Sequence, residues 1–280
     1  VRQEFIEDEL VIKGVEVGTD VVRNLNEDLL GKAIFLLYME KIPKTSTRRL
    51  VNTSGIETLL RIADTDTDTT EGIARLEFNW SGMEGHAIQL NMESAYNEVD
   101  GSLLQTDNRG TGPIVVNVPG ANSRVDEVRW DLQLKDNWSL GSLEFDYGLG
   151  AEFSTISQTG DSEQERSFRF LKPMASVIWS VGQGQRLRFT LEREVAQLNF
   201  NDFISATVFE DDDIVLGNPD LHPDATWVTS LGYEKRYGKI GVFKVTAYHH
   251  WIDDVLDLLP LTATNAVPGN IGNGRRWGVD

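Results

Sequence analysis

The stretch Leu143-Glu144-Phe145-Asp146-Tyr147-Gly148-Leu149-Gly150-Ala151-Glu152-Phe153-Ser154 decides the fold. Its odd positions are apolar from end to end, and its even positions are charged, polar or glycine. Side chains on an extended backbone point alternately to two sides, so this is a strand with one greasy and one wet face. It is about twice the length of an ordinary strand, whose mode is ~5–6 residues.

The same period recurs outward in both directions. Ala74, Leu76, Phe78 and Trp80 alternate with Arg75, Glu77 and Asn79, and Ile88, Leu90, Met92 and Tyr96 alternate with Gln89, Asn91, Glu93 and Asn97. Val128, Trp130, Leu132 and Leu134 alternate with Glu127, Arg129, Asp131 and Gln133. Weaker versions cover Val15 to Val21, Leu187 to Leu191 and Trp227 to Tyr233. Leu29 to Glu40, Phe168 to Trp179 and Ile240 to Trp251 read as strands whose phase is open, with Pro173 marking a bulge or a strand end. About eleven strands result, with no amphipathic helix, so the fold class is all-β, an antiparallel up-and-down meander.

The connections alternate in length. Turns of a few residues are expected near Asn24–Asp28, Ser81–His86, Lys135–Ser139, Ser180–Gly184 and Tyr237–Lys239. Between them, long loops are expected over Lys41–Gly72, Val99–Ser123, Ser157–Glu165, Gln197–Asp224 and Asp253–Gly274. Loops beyond ~12–15 residues are uncommon in compact domains. A meander with its short turns at one end and its long loops at the other has the plan of a large transmembrane β-barrel. Trp80, Trp138, Trp179 and Tyr237 each stand beside an expected short turn, where an amphipathic ring suits a membrane–water boundary. In hydrocarbon every backbone amide must be paired within the protein, so only helices or closed barrels span. The longest apolar run, Ala33 to Met39, falls far short of the ~18 residues of a spanning helix. The same alternation would also serve a soluble sandwich with a wet outer face, so period alone leaves both open.

Composition narrows the function. Among 280 residues there are 26 Lys and Arg against 44 Asp and Glu, a net charge of −18, which argues against nucleic acid as a partner. There is no cysteine, hence no disulfide, thiolate metal site or cysteine nucleophile. The chain opens on Val1-Arg2-Gln3-Glu4, without initiator methionine or signal segment, and stops at Trp277-Gly278-Val279-Asp280 in a strand pattern. It is expected to be an internal piece of something longer.

Leu191-Glu192-Arg193-Glu194-Val195-Ala196-Gln197-Leu198-Asn199-Phe200, followed by Gly217-Asn218-Pro219-Asp220-Leu221-His222-Pro223, resembles the barrel of TonB-dependent outer-membrane receptors. Leu231-Gly232-Tyr233-Glu234, Val245-Thr246-Ala247-Tyr248 with Trp251-Ile252-Asp253-Asp254, and Asn270-Ile271-Gly272-Asn273-Gly274 ahead of Arg275-Arg276-Trp277 continue the likeness. The resemblance is moderately specific from Leu191 to Asp280 and no more than compatible before that. It implies a barrel of 22 strands around an N-terminal plug, with residues 1–280 as a partial barrel domain lacking the plug and the C-terminal strands. It implies a bacterial cell outer membrane location, with contacts to outer-membrane lipid and lipopolysaccharide and to the TonB energy-transducing complex through the missing plug. The matched positions are structural, so no ligand residues carry over.

No catalytic set can be assembled. Asp64-Thr65-Asp66-Thr67-Asp68 offers carboxylates at positions 1, 3 and 5 of a calcium loop, but Thr69 and Arg75 stand where glycine and glutamate are needed, so a solvated loop is expected. Glu210 and Asp211, Asp212 and Asp213 lie in another expected loop; the three aspartates are the binding candidates, a lure for cations or substrate at the barrel mouth. His249 and His250 point to opposite faces, while His86 and His222 stand alone, so no metal site is assigned. Gly182-Gln183-Gly184 is a turn. Glu144 and Asp146 share a face and suit a salt-bridge lattice on the lumen wall better than a glycosidase pair. No cofactor is expected, and the chain is read as a non-enzyme. The leading expectation is a barrel for TonB-energised uptake of a scarce small-molecule or metal-chelate ligand such as a ferric siderophore, cobalamin or glycan. The alternatives are a passive porin or adhesin barrel, and a soluble all-β carbohydrate-binding or glycosidase module.

Overall fold

The computed structural model describes residues 3–203, 206–208, 213–262 and 265–280. In chain order the strands are β1 (Gln3–Leu10), β2 (Lys13–Asn24), β3 (Leu29–Val51), β4 (Glu57–Trp80), β5 (His86–Asn108), β6 (Pro113–Val116), β7 (Asn122–Leu140), β8 (Leu143–Gly160) and β9 (Gln164–Gly182). They continue with β10 (Gln185–Val195), β11 (Ala206–Val208), β12 (Asp213–Val215), β13 (Ala225–Tyr237), β14 (Gly241–Asp253), β15 (Leu256–Pro260), β16 (Asn265–Asn270) and β17 (Gly274–Val279). A 3-10 turn covers Phe200–Phe203.

One antiparallel sheet runs β1-β3-β4-β5-β7-β8-β9-β10-β13-β14-β17, with β2 also on β3 and β6 on β5. β1 and β2 keep one register against β3, Leu10 facing Lys44 and Lys13 facing Lys41. They are one strand interrupted at Val11 and Ile12, opposite Pro43, which has no N–H to give the ladder. The Pro43 carbonyl still accepts from the Val11 amide at 3.2 Å.

The expected long loops are largely strand. β3, β4 and β5 are 23, 24 and 23 residues long, and β4 reaches roughly 80 Å at ~3.4 Å per residue. A spanning strand needs only ~9–11 residues. The hairpins therefore continue far past the apolar band: Lys41–Gly72 closes in a turn at Asn52–Ile56, where Asn52 Oδ1 accepts from the Ser54 and Ile56 amides. Beyond that band the outer face turns polar at Asp64, Asp66 and Asp68, so the hydropathy period vanishes there while pairing goes on. Asp64, Asp66 and Asp68 accordingly lie in β4 rather than in a loop, with Thr45 Oγ1 donating to Asp64 at 2.7 Å and Lys41 Nζ to Asp68 at 3.1 Å.

Two other expectations change. The turn placed at Lys135–Ser139 falls later, since β7 continues to Leu140 and turns at Gly141, whose φ of 60° suits glycine. The connections after β10 and β14 also pair with each other, in a second sheet of order β11-β12-β16-β15.

The two faces of the large sheet differ in kind. Leu76, Trp130, Leu134, Leu149 and Leu231 point outward and are 44–56 % exposed. No second layer covers them. Trp80, Trp179 and Tyr237 share this face at the short-turn end, as does Trp138, which stacks on Phe145 at 5.2 Å. The opposite, inner face buries Arg129, Glu127 and Glu152. This is a soluble fold turned inside out, as expected for a piece of a transmembrane barrel.

Candidate functional site

The inner wall is built by strand register. Arg75 on β4 faces Glu93 on β5, Glu93 faces Asp131 on β7, and Asp131 faces Glu152 on β8. Arg75 Nε donates to Glu93 at 2.7 Å, and Arg129 Nη2 donates to the other Glu93 oxygen at 3.2 Å. Arg129 also lies between Glu127 and Asp131, at 3.9 and 3.8 Å. Lys172 on β9 ends the ladder, its Nζ donating to Asp131 at 2.6 Å and to Glu152 at 2.8 Å. Its stem crosses Gly150, where an added Cβ would meet the Lys172 Cβ at 3.2 Å. Glu127 accepts from Asn97 at 3.0 Å and from Ser154 at 2.5 Å. Charges this buried need partners, and the five strands supply them from opposite sides.

The inner-wall charges Arg75, Glu77, Glu93, Arg129, Asp131 and Glu152 are thus brought together as the alternation implies. Glu144 lies further toward the short turns and accepts from Asn137 at 3.2 Å. Lys172 was missed because β9 breaks the hydropathy rule: Phe168 and Phe170 face inward while Arg169 faces outward opposite Phe153. The signal was present in the alternation of Gln164, Arg166 and Lys172, hidden by those two aromatics.

The reason for the inward phenylalanines is the connection after β10. Val125, Ile156, Phe203 and Leu221 form a buried cluster, with Phe168, Leu198, Phe200 and Leu256 packed against it. Residues 196–203 and 216–224 therefore fold back onto the inner wall. Arg166 pins them, donating from Nη1 to the Leu221 carbonyl at 2.9 Å and meeting the His222 ring with Nη2 at 2.6 Å. Asn270 clamps the same segment, its Oδ1 accepting from the His222 amide at 2.9 Å and its Nδ2 donating to the His222 carbonyl at 2.9 Å. His222 is consequently not alone; nor is His86, whose Nδ1 lies 2.7 Å from Asp136. Burial pushes the carboxyl of Asp202, in the folded-back segment, above the ordinary aspartate range. Between this segment and the wall lies a chamber of about 340 Å³ lined by Glu40, Glu71, Asn97, Glu127, Asn199 and Asn201, among others. Its carboxylates and amides can hold a polar solute by hydrogen bonds.

Asp211 and Asp212 lie outside the described residues. Asp213 opens β12, of which the backbone alone is described. Among the described residues no cluster of His, Asp and Glu could hold a metal ion.

Comparison with solved structures places this architecture. The hemophore receptor HasR of Serratia marcescens, solved with its hemophore HasA and heme, superposes with a TM-score of 0.57 at 10% identity, over 99% of this chain and 51% of that one. The ferric-catecholate import receptor Fiu of E. coli gives 0.61 at 9% identity, over 97% and 44%. The RagAB peptide importer gives 0.58 at 13%, over 98% and 34%. At such identities the likeness shows the fold, and the chain spans about half or less of each of these structures. No curated protein matches the sequence. The family described as TonB dependent receptor-like, beta-barrel matches residues 23–280. With nearly its whole length matched, and with an inner wall of paired charges under an outer face of exposed apolar rows, the chain belongs to the TonB-dependent receptor β-barrel family.

Proposed function

We propose that the chain forms wall and loops of an outer-membrane receptor that takes up a scarce solute, with gating and energy supplied through a plug and the TonB complex. The observation that carries this reading is the pairing of an uncovered apolar outer face with a charge-paired inner face, onto which residues 196–203 and 216–224 fold. The folded-back segment and the chamber beneath it are where solute is held. Outer-membrane lipid and lipopolysaccharide cover the outer face. Solved relatives of this shape are a hemophore receptor, a peptide importer and a ferric-catecholate importer, and a small molecule or metal chelate fits the same scheme. The protein acts as a receptor and not as a catalyst.

The test is fractionation and uptake with the full-length protein in its own cell. It should resist release by salt and alkali, require detergent for extraction, and confer uptake of a labelled solute that stops when the inner membrane is de-energised. A protein recovered soluble in periplasm or cytosol would sink the reading.

A further inference from the structure

The charge lattice pairs Arg75, Arg129 and Lys172 with carboxylates, yet another stretch of the same inner face is left differently. Near the short turns, Arg188 on β10 faces Gly232 on β13, which faces Thr246 on β14; Arg186 faces Glu234, which faces Lys244. Period two puts these side chains with Ile178 and Ser230 on one side of the sheet, the side of Glu192, Asp146 and Asn137. Arg186, Arg188, Glu234 and Lys244 border a cavity of about 290 Å³, with Gly232 leaving its centre open. The single carboxylate there is already engaged, Arg236 Nε donating to Glu234 at 2.6 Å. Among the described residues the side chains of Arg186, Arg188 and Lys244 have no hydrogen bond or ion pair. Four cations therefore face one carboxylate, in a chain of net charge −18.

We propose that this niche is an oxyanion site, taking a phosphate or carboxylate group of a solute inside the barrel. Guanidinium forks bind such groups in pairs of parallel hydrogen bonds, and the hydroxyls of Ser230 and Thr246 add neutral donors beside them. The cavity lies at the lower edge of ligand pockets, which run ~300–1,000 Å³. That is room for one anionic head and a few attached atoms rather than for a length of polypeptide. Repulsion from Glu144, Asp146 and Glu192 elsewhere on the wall leaves the niche as the place where an anion rests. The proposal depends on the receptor reading, because only in a closed barrel do these residues face an enclosed lumen.

The probe is inorganic phosphate, titrated by calorimetry and by phosphorus NMR line broadening into the full-length receptor in detergent. Saturable binding is expected, weakened at least about tenfold, the worth of a charge-assisted pair, by Arg186→Gln with Arg188→Gln. Lys32→Gln, on the inner face of β3, should leave it unchanged. Glu234→Gln should strengthen it, a gain that a merely structural role cannot produce. Gel mobility before and after heating shows whether each variant has assembled, and if the double variant has not, Lys244→Met serves in its place with the same expected loss. The proposal is overturned if wild-type receptor shows no saturable binding, as when a carboxylate of the same polypeptide fills the niche, or if the cation variants bind as wild type does. A protein that fractionates in the outer membrane but binds no phosphate defeats this inference alone; one that does not reach the outer membrane defeats the receptor reading.

Discussion

Lys172 shows how much one side chain settles on this wall. It is the only cation within bonding distance of Glu152 among the described ion pairs, and it holds Asp131 as well. Replacing it by methionine leaves Glu152 without a bonded cation beside Asp131, which keeps only Arg129 at 3.8 Å, a loss expected at about 1–3 kcal/mol. Urea unfolding of the reconstituted barrel measures it. Adding Glu152→Gln to Lys172→Met should recover part of the loss, since the second change removes the stranded charge; two losses that simply add would show the pair to be uncoupled. The outward face has its own knot: Asp136 accepts from Tyr147 at 2.7 Å and meets His86, over which Trp138 stacks at 5.4 Å. Amphipathic rings thus cover the one carboxylate of this cluster at the short-turn end of the outer face.

At the scale of elements, the tall hairpins and the folded-back connection carry separate predictions. Near the tip of β4 and β5, well beyond the apolar band, Arg61 donates to both Asp107 oxygens at 2.7 and 2.9 Å, which holds the Asp107 carboxyl below the usual aspartate range. A lowered folded-state pKa contributes stability that is full above the ordinary aspartate value of ~3.9 and disappears as pH falls through the lowered value. Amide exchange at the hairpin tip should therefore accelerate in acid below about pH 4, and Asp107→Asn should remove that dependence while raising exchange at neutral pH. The folded-back segment has its own pin in Arg166. Arg166→Ala should leave the barrel assembled and make residues 217–223 open to a protease that spares them in wild type. Equal resistance in the variant would show that the Phe203 and Leu221 cluster holds the segment unaided. The strands of the apolar band were legible from period two, because an apolar environment on one side and a polar one on the other impose it. Above the band the outer face carries Asp64, Asp66 and Asp68 and the inner face Thr65, Thr67 and Thr69, so this stretch reads as a loop although its backbone stays paired with β3 and β5.

At the scale of the whole molecule, the direction of the apolar face separates the membrane reading from a soluble one. Leu149, half exposed on the outer face, is the place to test it. Leu149→Arg should cost ~2–4 kcal/mol for folding into liposomes, whereas on a water-facing surface the same change stays within about 0.5 kcal/mol. Inner-face Asn91→Arg is the control and should be tolerated. Sequence alone determined the all-β meander, the two faces of the strands whose phase it fixes and the row of aromatics beside the short turns, since these follow from the chain's alternation and need no partner. It also singled out Arg75, Glu93, Arg129 and Glu152 as lumenal, but not their pairing. Which carboxylate meets which cation, the folding of residues 196–203 and 216–224 onto Phe168, and the unmatched cations of the niche were decided by the tertiary structure. The reason is register: a period of two says which side a residue faces, and only strand pairing says what stands beside it.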